Sequence, residues 1–353
     1  MTLDDVVGRI RPGDSRAMQA ATRRQQRLTK PPGSLGRLED LSVQLAGIFG
    51  TDRPTVAGTT VIVAAADHGV VAQGVTGYPQ AVTAQMVLNF LAGGAAINVM
   101  ARSRGVDLLI VDAGVATPLP AHPDLRVVAS ERGTRDISQG PAMTRAQAEA
   151  CIRAGVNLAE AAAEQGAAII GTGDMGIGNT TSAGAITAAV TGASPARTTG
   201  RGTGRTDPEL AQKVACVERV LDVNQPDPSD GMDVLTRVGG FEIGVLAGVA
   251  LGGARARRAV VLDGFVSGAA GLIAHSLCPT VRDYLIAGHV SAEPGHPIAL
   301  AHLSLQPLLD LGMRLGEGTG ALLAAGLVEV AAACLSDMAT FEEAGVSDRE
   351  PAH

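Results

Sequence analysis

Tryptophan is absent from this sequence, and aromatic side chains make up 2% of its 353 residues. Proteins that grip single-stranded nucleic acid stack bases on aromatic rings, so that mode of binding is excluded. Basic runs are missing too. The densest, Arg23-Arg24-Gln25-Gln26-Arg27, reads as a solvated helix face, and the net charge is -7. No nucleic-acid partner is expected. Cysteine is scarce: Cys151, Cys216, Cys278 and Cys334 stand far apart, without the spacing of a metal site or a disulfide framework. No other group of His, Cys or carboxylates has ligand spacing, so no metal and no cofactor are expected. The opening MTLDDVVGRI is acidic and carries no apolar core of a secretory leader. Apolar runs are broken by Gly, Asp or Arg before they reach the roughly 20 residues of a bilayer span. Together these absences predict a cytoplasmic protein with reduced thiols and no membrane span.

What is abundant is small and apolar. Hydrophobic residues make up 46% of the chain, and there are 45 glycines. A core of Ala, Val and Leu allows helices to approach a sheet closely, and many glycines imply many special turns. The first 50 residues read as helices. Asp14 and Ser15 start one that runs through Leu28; after Pro31-Pro32-Gly33, Ser34 starts another with Leu35, Leu38, Leu41 and Leu45 at helical spacing. Six apolar runs of strand length then alternate with helical patterns: Thr59–Asp67, Asp107–Gly114, Leu125–Ser130, Ala167–Asp174, Ala259–Gly264 and Asp283–Ser291. Their apolar positions are continuous rather than alternating, as in strands buried on both faces. The expected fold is α/β: a mostly parallel sheet flanked by helices, with ligands beyond the carboxyl ends of the strands. The tail from Thr319 to Phe341 is helical again.

The fourth run leads into a glycine loop. Gly171-x-Gly173-x-x-Gly176 follows a strand and precedes a helix, which is formally a dinucleotide fingerprint. That fingerprint requires an acid about twenty residues on, at the next strand end. The chain has GASPARTTGRGTG there instead. What remains is Gly176-Ile177-Gly178-Asn179-Thr180-Thr181 at a helix start. Such a start offers backbone N–H groups to an anion, most simply one phosphate; the bland alternative is a tight strand-to-helix turn. In GRGTGRTDPELAQK, Asp207 caps a helix with Pro208 in its first turn. Lys213 in that helix is either a surface lysine or a point charge for the same phosphate.

Other strand ends are polar. Asp67-His68 suits a catalytic pair, a ligand pair or a hydrogen-bonded loop. Tyr78 and Gln85 suit the borders of a pocket for a flat heterocycle, or plain core packing. Asp263 ends the fifth run, where an acid followed by Gly can take ribose hydroxyls. GHVSAEPGH holds His289, Ser291, Glu293 and His296, of which Ser291 can reach a phosphate. RLGEGTGALLAAG places Glu317 between Gly316 and Gly318, ahead of an apolar segment. A first-turn carboxylate is favoured by the helix dipole. The flanking glycines also leave room for a flat ring, and apolar surroundings raise a carboxylate toward the pKa of a useful base.

Several stretches together resemble one family. They are KPPGSLGRLEDL, ADHGVVAQGVTGYPQAVTAQMVLNFLAGGAAINVMAR, GTGDMGIGNTTSA, GRGTGRTD, GGFEIGVLAGVALGGA, GHVSAEPGHPIALAHL and LGMRLGEGTGALLA. In this order, from about Lys30 to the last helix, they resemble the nicotinate-nucleotide:dimethylbenzimidazole phosphoribosyltransferase family of cobalamin lower-ligand synthesis. The resemblance implies a homodimer with a Rossmann-like six-stranded sheet. It implies a small helical domain from residues 1–50 and 316–353 around a large α/β domain of residues 51–315. The implied substrates are nicotinate mononucleotide and dimethylbenzimidazole. Carried over by motif, Glu317 is the general base. Asp174, Gly176, Ile177, Gly178, Asn179, Thr180, Lys213, Asp263 and Ser291 bind the nucleotide, and Tyr78, Gln85, Met175 and Leu315 border the base. The chain departs from the family pattern in having Asp174 where Glu is usual, Thr206 where a second Asp is common, and GVTGYP in place of the commoner Ser-Ala before Tyr-Pro. Two readings from other classes are a nucleotide-dependent oxidoreductase, from the glycine fingerprint, and a non-enzymatic base- or nucleotide-binding protein.

Overall fold

The computed structural model describes residues 2–202, 204 and 206–347. Six strands form one sheet: β1 (Thr59–Ala66), β2 (Asp107–Gly114), β3 (Leu125–Val127), β4 (Ile169–Met175), β5 (Ala259–Leu262) and β6 (Leu285–Ala287). All neighbouring strands are parallel, in the order β3-β2-β1-β4-β5-β6. Each strand lies on one of the six apolar runs. The reason is visible in β1, TTVIVAAA, which is buried at every position but Thr60. Helices cover both sheet faces, so both sets of alternating side chains must be apolar. The chain winds outward from β1 through β2 to β3, then crosses back to lay β4 beside β1. That reversal opens a crevice at the carboxyl ends of β1 and β4, the place where such sheets bind ligands.

Glycine explains the closest helix packing. The Arg145–Glu164 and Phe241–Arg255 helices cross at Gly155 and Gly248, where a Cβ on either would overlap the facing backbone. The two ends of the chain meet. Helices Ser15–Gln25, Arg37–Phe49 and Thr319–Asp337 pack on one another. Arg24 fastens them, donating from Nε to the Leu335 carbonyl at 2.7 Å and from Nη2 to that of Met338 at 2.8 Å.

Three local expectations are corrected. Ser34 caps nothing; Gly36 precedes the Arg37–Phe49 helix, and the Glu39 carboxylate takes the N–H groups of Gly33 and Leu35. Thr206, not Asp207, is the N-cap of the Asp207–Asn224 helix, because Glu209 reaches back to the Thr206 N–H at 2.8 Å. Two apolar stretches, Val82–Arg104 and Thr319–Asp337, do have the length and composition of a membrane span. The first is broken at Gly93 and Gly94 into two helices, and the second packs on β1, β4 and β5. Thr203 and Arg205 of the GRGTGRTD motif lie outside the described residues.

Candidate active site

A cleft of about 490 Å³ lies at the carboxyl ends of β1, β4, β5 and β6. One end is built for an anion. β4 runs out at Met175, and Gly178, with φ +96°, turns the chain into the Asn179–Thr191 helix. The Ile177 N–H is held by Thr83 Oγ1 at 3.1 Å, while those of Asn179 and Thr181 close turns onto Gly176 and Gly178. Gly178 and Thr180, both on the cleft wall, are not consumed by these bonds. Lys213 is brought to the same helix start although it is almost wholly buried. Its Nζ donates to Thr180 Oγ1 at 2.8 Å and to the Gly200 carbonyl at 3.2 Å. Ser291 and Glu293 complete this end, with Glu293 Oε1 accepting the Gly202 N–H at 2.9 Å. A buried cation beside a helix N-terminus suits an anion, most simply one phosphate.

The other end holds Glu317. Three consecutive residues, Gly316 (φ +83°), Glu317 (φ +64°) and Gly318 (φ +86°), are left-handed. The glycines adopt this freely; Glu317 does so at a cost of about 1–2 kcal/mol. Three bonds to distant residues hold the turn. The Glu317 N–H donates to the Asp174 carbonyl, Glu317 Oε2 accepts the Ile97 N–H at 3.3 Å, and Asp263 Oδ2 accepts the Gly318 N–H at 3.2 Å. The turn lies directly on β4: a Cβ at Gly173 would come within 2.6 Å of the Glu317 carbonyl oxygen. A Cβ at Gly176 would come within 2.5 Å of the Ala66 carbonyl oxygen. Gly173 and Gly176 therefore make room for the Glu317 turn and the end of β1. Glu317 is 4% exposed, and burial raises its pKa against the downward pull of the Ile97 bond.

The cleft brings together Glu317, Asp174, Gly176, Ile177, Gly178, Asn179, Thr180, Lys213, Ser291, Tyr78, Met175 and Leu315. Two expected residues are not on its wall. Asp263 is fully buried, and besides Gly318 it accepts the N–H groups of Gly320 (2.6 Å) and Ala321 (3.0 Å) at the start of the last long helix. It anchors the Glu317 turn from below, and its oxygens are used. Gln85 is exposed on the Val82–Leu91 helix, where Val82 and Met86 face the cleft instead. Residues on the wall without a role from sequence include His289, Glu293, Phe265, Met86 and Arg314. The signal for the first two was their place in GHVSAEPGH, beyond the end of β6.

Asp67 and His68 do not act as a pair. Asp67 Oδ2 accepts the Ala116 N–H, while His68 bonds Glu242 Oε1 at 2.7 Å through Nε2 and Ser182 Oγ at 3.1 Å through Nδ1. His68, Glu242 and Ser182 are all buried. Among the described residues no group of three or more His, Cys, Asp or Glu side chains is placed to hold a metal ion.

Asp174 carries an unusual proton. Burial first, then the charges of Asp263 and Glu242, push its pKa up to about 8, against the hydrogen bond from Asn179 Nδ2 at 2.9 Å. The native state therefore holds this proton more tightly than the unfolded chain. The corresponding stability is complete below the ordinary Asp pKa near 4 and is lost as pH rises through about 8. Asp174→Asn, which mimics the protonated carboxyl, is expected to lose less of its urea midpoint than the parent between pH 5 and pH 9. Parallel losses in the two proteins would show that Asp174 does not carry the proton.

A doubly wound parallel sheet whose switch-point cleft joins a helix N-terminus and a buried lysine to a buried carboxylate suits group transfer on an anionic ligand. A family model described as phosphoribosyltransferase matches residues 10–346, and the chain belongs to that family. It is 55% identical over 350 residues to the nicotinate-nucleotide–dimethylbenzimidazole phosphoribosyltransferase of Chloroflexus aggregans, covering 99% of each chain. It is 56% identical to the enzyme of the same name from Roseiflexus sp., covering 98% of each. The crystal structure of the nicotinate-nucleotide-dimethylbenzimidazole phosphoribosyltransferase from Thermus thermophilus matches with a TM-score of 0.91 at 46% identity, over 95% of this chain and 100% of that one.

Proposed function

We propose that this chain transfers the phosphoribosyl group of nicotinate mononucleotide to dimethylbenzimidazole, giving α-ribazole phosphate and nicotinate, in cobalamin biosynthesis. The observation that carries the reading is one buried carboxylate, Glu317, sharing a cleft with a cradle suited to one phosphate. The donor's glycosidic nitrogen is a pyridinium. Breaking its bond to C1′ returns the electron pair to the ring, so nicotinate leaves through a neutral nitrogen that needs no proton. The attacking nitrogen of the benzimidazole becomes cationic as it bonds C1′. The proton on the other ring nitrogen then passes to Glu317. Attack opposite the leaving ring inverts C1′ from β to α, and holding both rings in line supplies much of the acceleration. Tyr78, Met175 and Leu315 border the slot for the base. The Gly176–Thr180 loop, Lys213 and Ser291 hold the phosphate.

The deciding assay is nicotinate appearance, followed by chromatography, on mixing mononucleotide and dimethylbenzimidazole. Binding without release would leave a binding protein; tight uptake of a nicotinamide dinucleotide would favour an oxidoreductase. Lys213→Ala is expected to raise the KM for the mononucleotide roughly 10- to 100-fold, the value of a hydrogen bond to a charged group. The KM for the base should move far less. Equal changes in both constants would remove Lys213 from the phosphate site.

The same reading extends to organisation. The helices of residues 1–50 and 316–353 form the small domain around the α/β domain of residues 51–315. The enzyme works in the cytoplasm as a homodimer. Exposed apolar side chains beside the cleft support the dimer, with Tyr78 51% and Leu315 57% exposed. A monomer by light scattering would refute it.

A further inference from the structure

We propose that His289 binds the pentose: its neutral ring accepts, through Nε2, a hydrogen bond from a ribose hydroxyl of the mononucleotide. The assignment rests on the reaction proposed above. His289 lies just beyond β6, nearly buried yet on the cleft wall. Its ring is seated between two glycines. A Cβ on Gly320 would overlap the ring, and one on Gly264 would lie 3.1 Å from Nε2. Both positions are open so that an imidazole can stand there beside the cleft.

The proton can be placed. Nδ1 lies 3.0 Å from the Val290 carbonyl oxygen, which has no proton to give, so Nδ1–H is the donor. In the neutral ring Nε2 then presents a lone pair. Burial favours that neutral form by lowering the pKa. Nothing among the described residues hydrogen-bonds that lone pair. Asp263 Oδ1 is 3.8 Å away, and it already accepts from Gly320 and Ala321. The neighbouring His296 offers its Nδ1 to the Ser291 N–H, with the two rings edge to face at 6.2 Å.

Position along the cleft names the ligand group. Ser291, two residues on, stands at the phosphate end. Gly320, against the ring, is three residues past Glu317 at the reacting end. The pentose links the phosphate to the reacting carbon and must lie between them. A lone-pair acceptor there selects for a hydroxyl donor.

The test compares nicotinate mononucleotide with its 2′-deoxy and 3′-deoxy analogues. Wild-type enzyme is expected to prefer the ribo substrate over at least one analogue by about tenfold or more in kcat/KM. His289→Phe keeps a ring of similar breadth but has no acceptor, and should bring that preference within about twofold while leaving the KM for dimethylbenzimidazole little changed. His289→Gln, which restores an acceptor oxygen, should recover part of it. Failure of the wild type to release nicotinate overturns the reaction and this assignment together. Release without preference over either analogue, or full wild-type preference retained by His289→Phe, overturns the assignment alone.

Discussion

Glu317→Gln keeps both substrates bound and loses roughly 10²- to 10⁴-fold in kcat, the range for removing a general base. The substitution is chosen to change one property. Glutamine has the same length and the same aversion to the left-handed backbone, so the strain of the 316–318 turn is unaltered. Its amide oxygen can still accept the Ile97 N–H, as Glu317 Oε2 does. What disappears is a group able to take the ring proton as the nucleophile bonds. The pH profile supplies the second signature. Burial raises the Glu317 pKa above the ordinary 4.5, so in the parent, activity falls as pH drops through that raised value. The variant should lack this acid limb. Nicotinate release at saturation measures the first effect and calorimetric titration the binding. A variant within about tenfold of the parent, with the acid limb intact, would place the base elsewhere.

How legible was this in the sequence? The strands were, because a parallel sheet covered on both faces writes itself as uninterrupted Val, Ile and Ala. Glu317 was conspicuous as an acid between two glycines. Its backbone was not: φ +64° at a non-glycine residue is imposed by three bonds from residues far away in the chain, among them Asp263. The Gly171-x-Gly173-x-x-Gly176 pattern lacks the distant acid of a dinucleotide fingerprint, and the fold adds what one of its glycines does: Gly173 carries the Glu317 turn on its face. Asp263 illustrates the opposite error. An acid at a strand end suits a sugar, but here the start of the last long helix passes over it and takes its oxygens. Helix caps failed by one to two residues because Thr206 and Asp207, or Ser34 and Gly36, differ only in where a nearby glutamate folds back. Glu242 gave no signal at all, since its partner is 174 residues earlier.

That last pair predicts the largest loss of stability. His68→Ala is expected to cost about 3–5 kcal/mol, the range for stranding one member of a buried ionisable pair. Glu242 has no exposure, and its Oε2 has no hydrogen-bond partner among the described residues, so the bond that Oε1 accepts from His68 Nε2 is its compensation. Gly240 packs closely on both side chains: a Cβ there would lie 2.5 Å from the imidazole and 2.7 Å from the carboxylate. The imidazole also joins three elements, the end of β1, the start of the Phe241–Arg255 helix and, through Ser182, the Asn179–Thr191 helix. Glu242→Gln in the His68→Ala background should return about 1 kcal/mol or more, because a neutral amide is less costly to bury than a carboxylate. That gain makes the double mutant non-additive, which packing loss alone would not do. Denaturant midpoints of the four proteins, parent included, complete the cycle. A single-variant loss below about 1 kcal/mol, or strict additivity, would mean that the charge of Glu242 is satisfied without His68. Ser182 makes the link to function, since it lies on the Asn179–Thr191 helix and its bond to His68 Nδ1 is lost in His68→Ala. A cradle that loses this support should hold the mononucleotide less well while the base slot, lined from other segments, is spared.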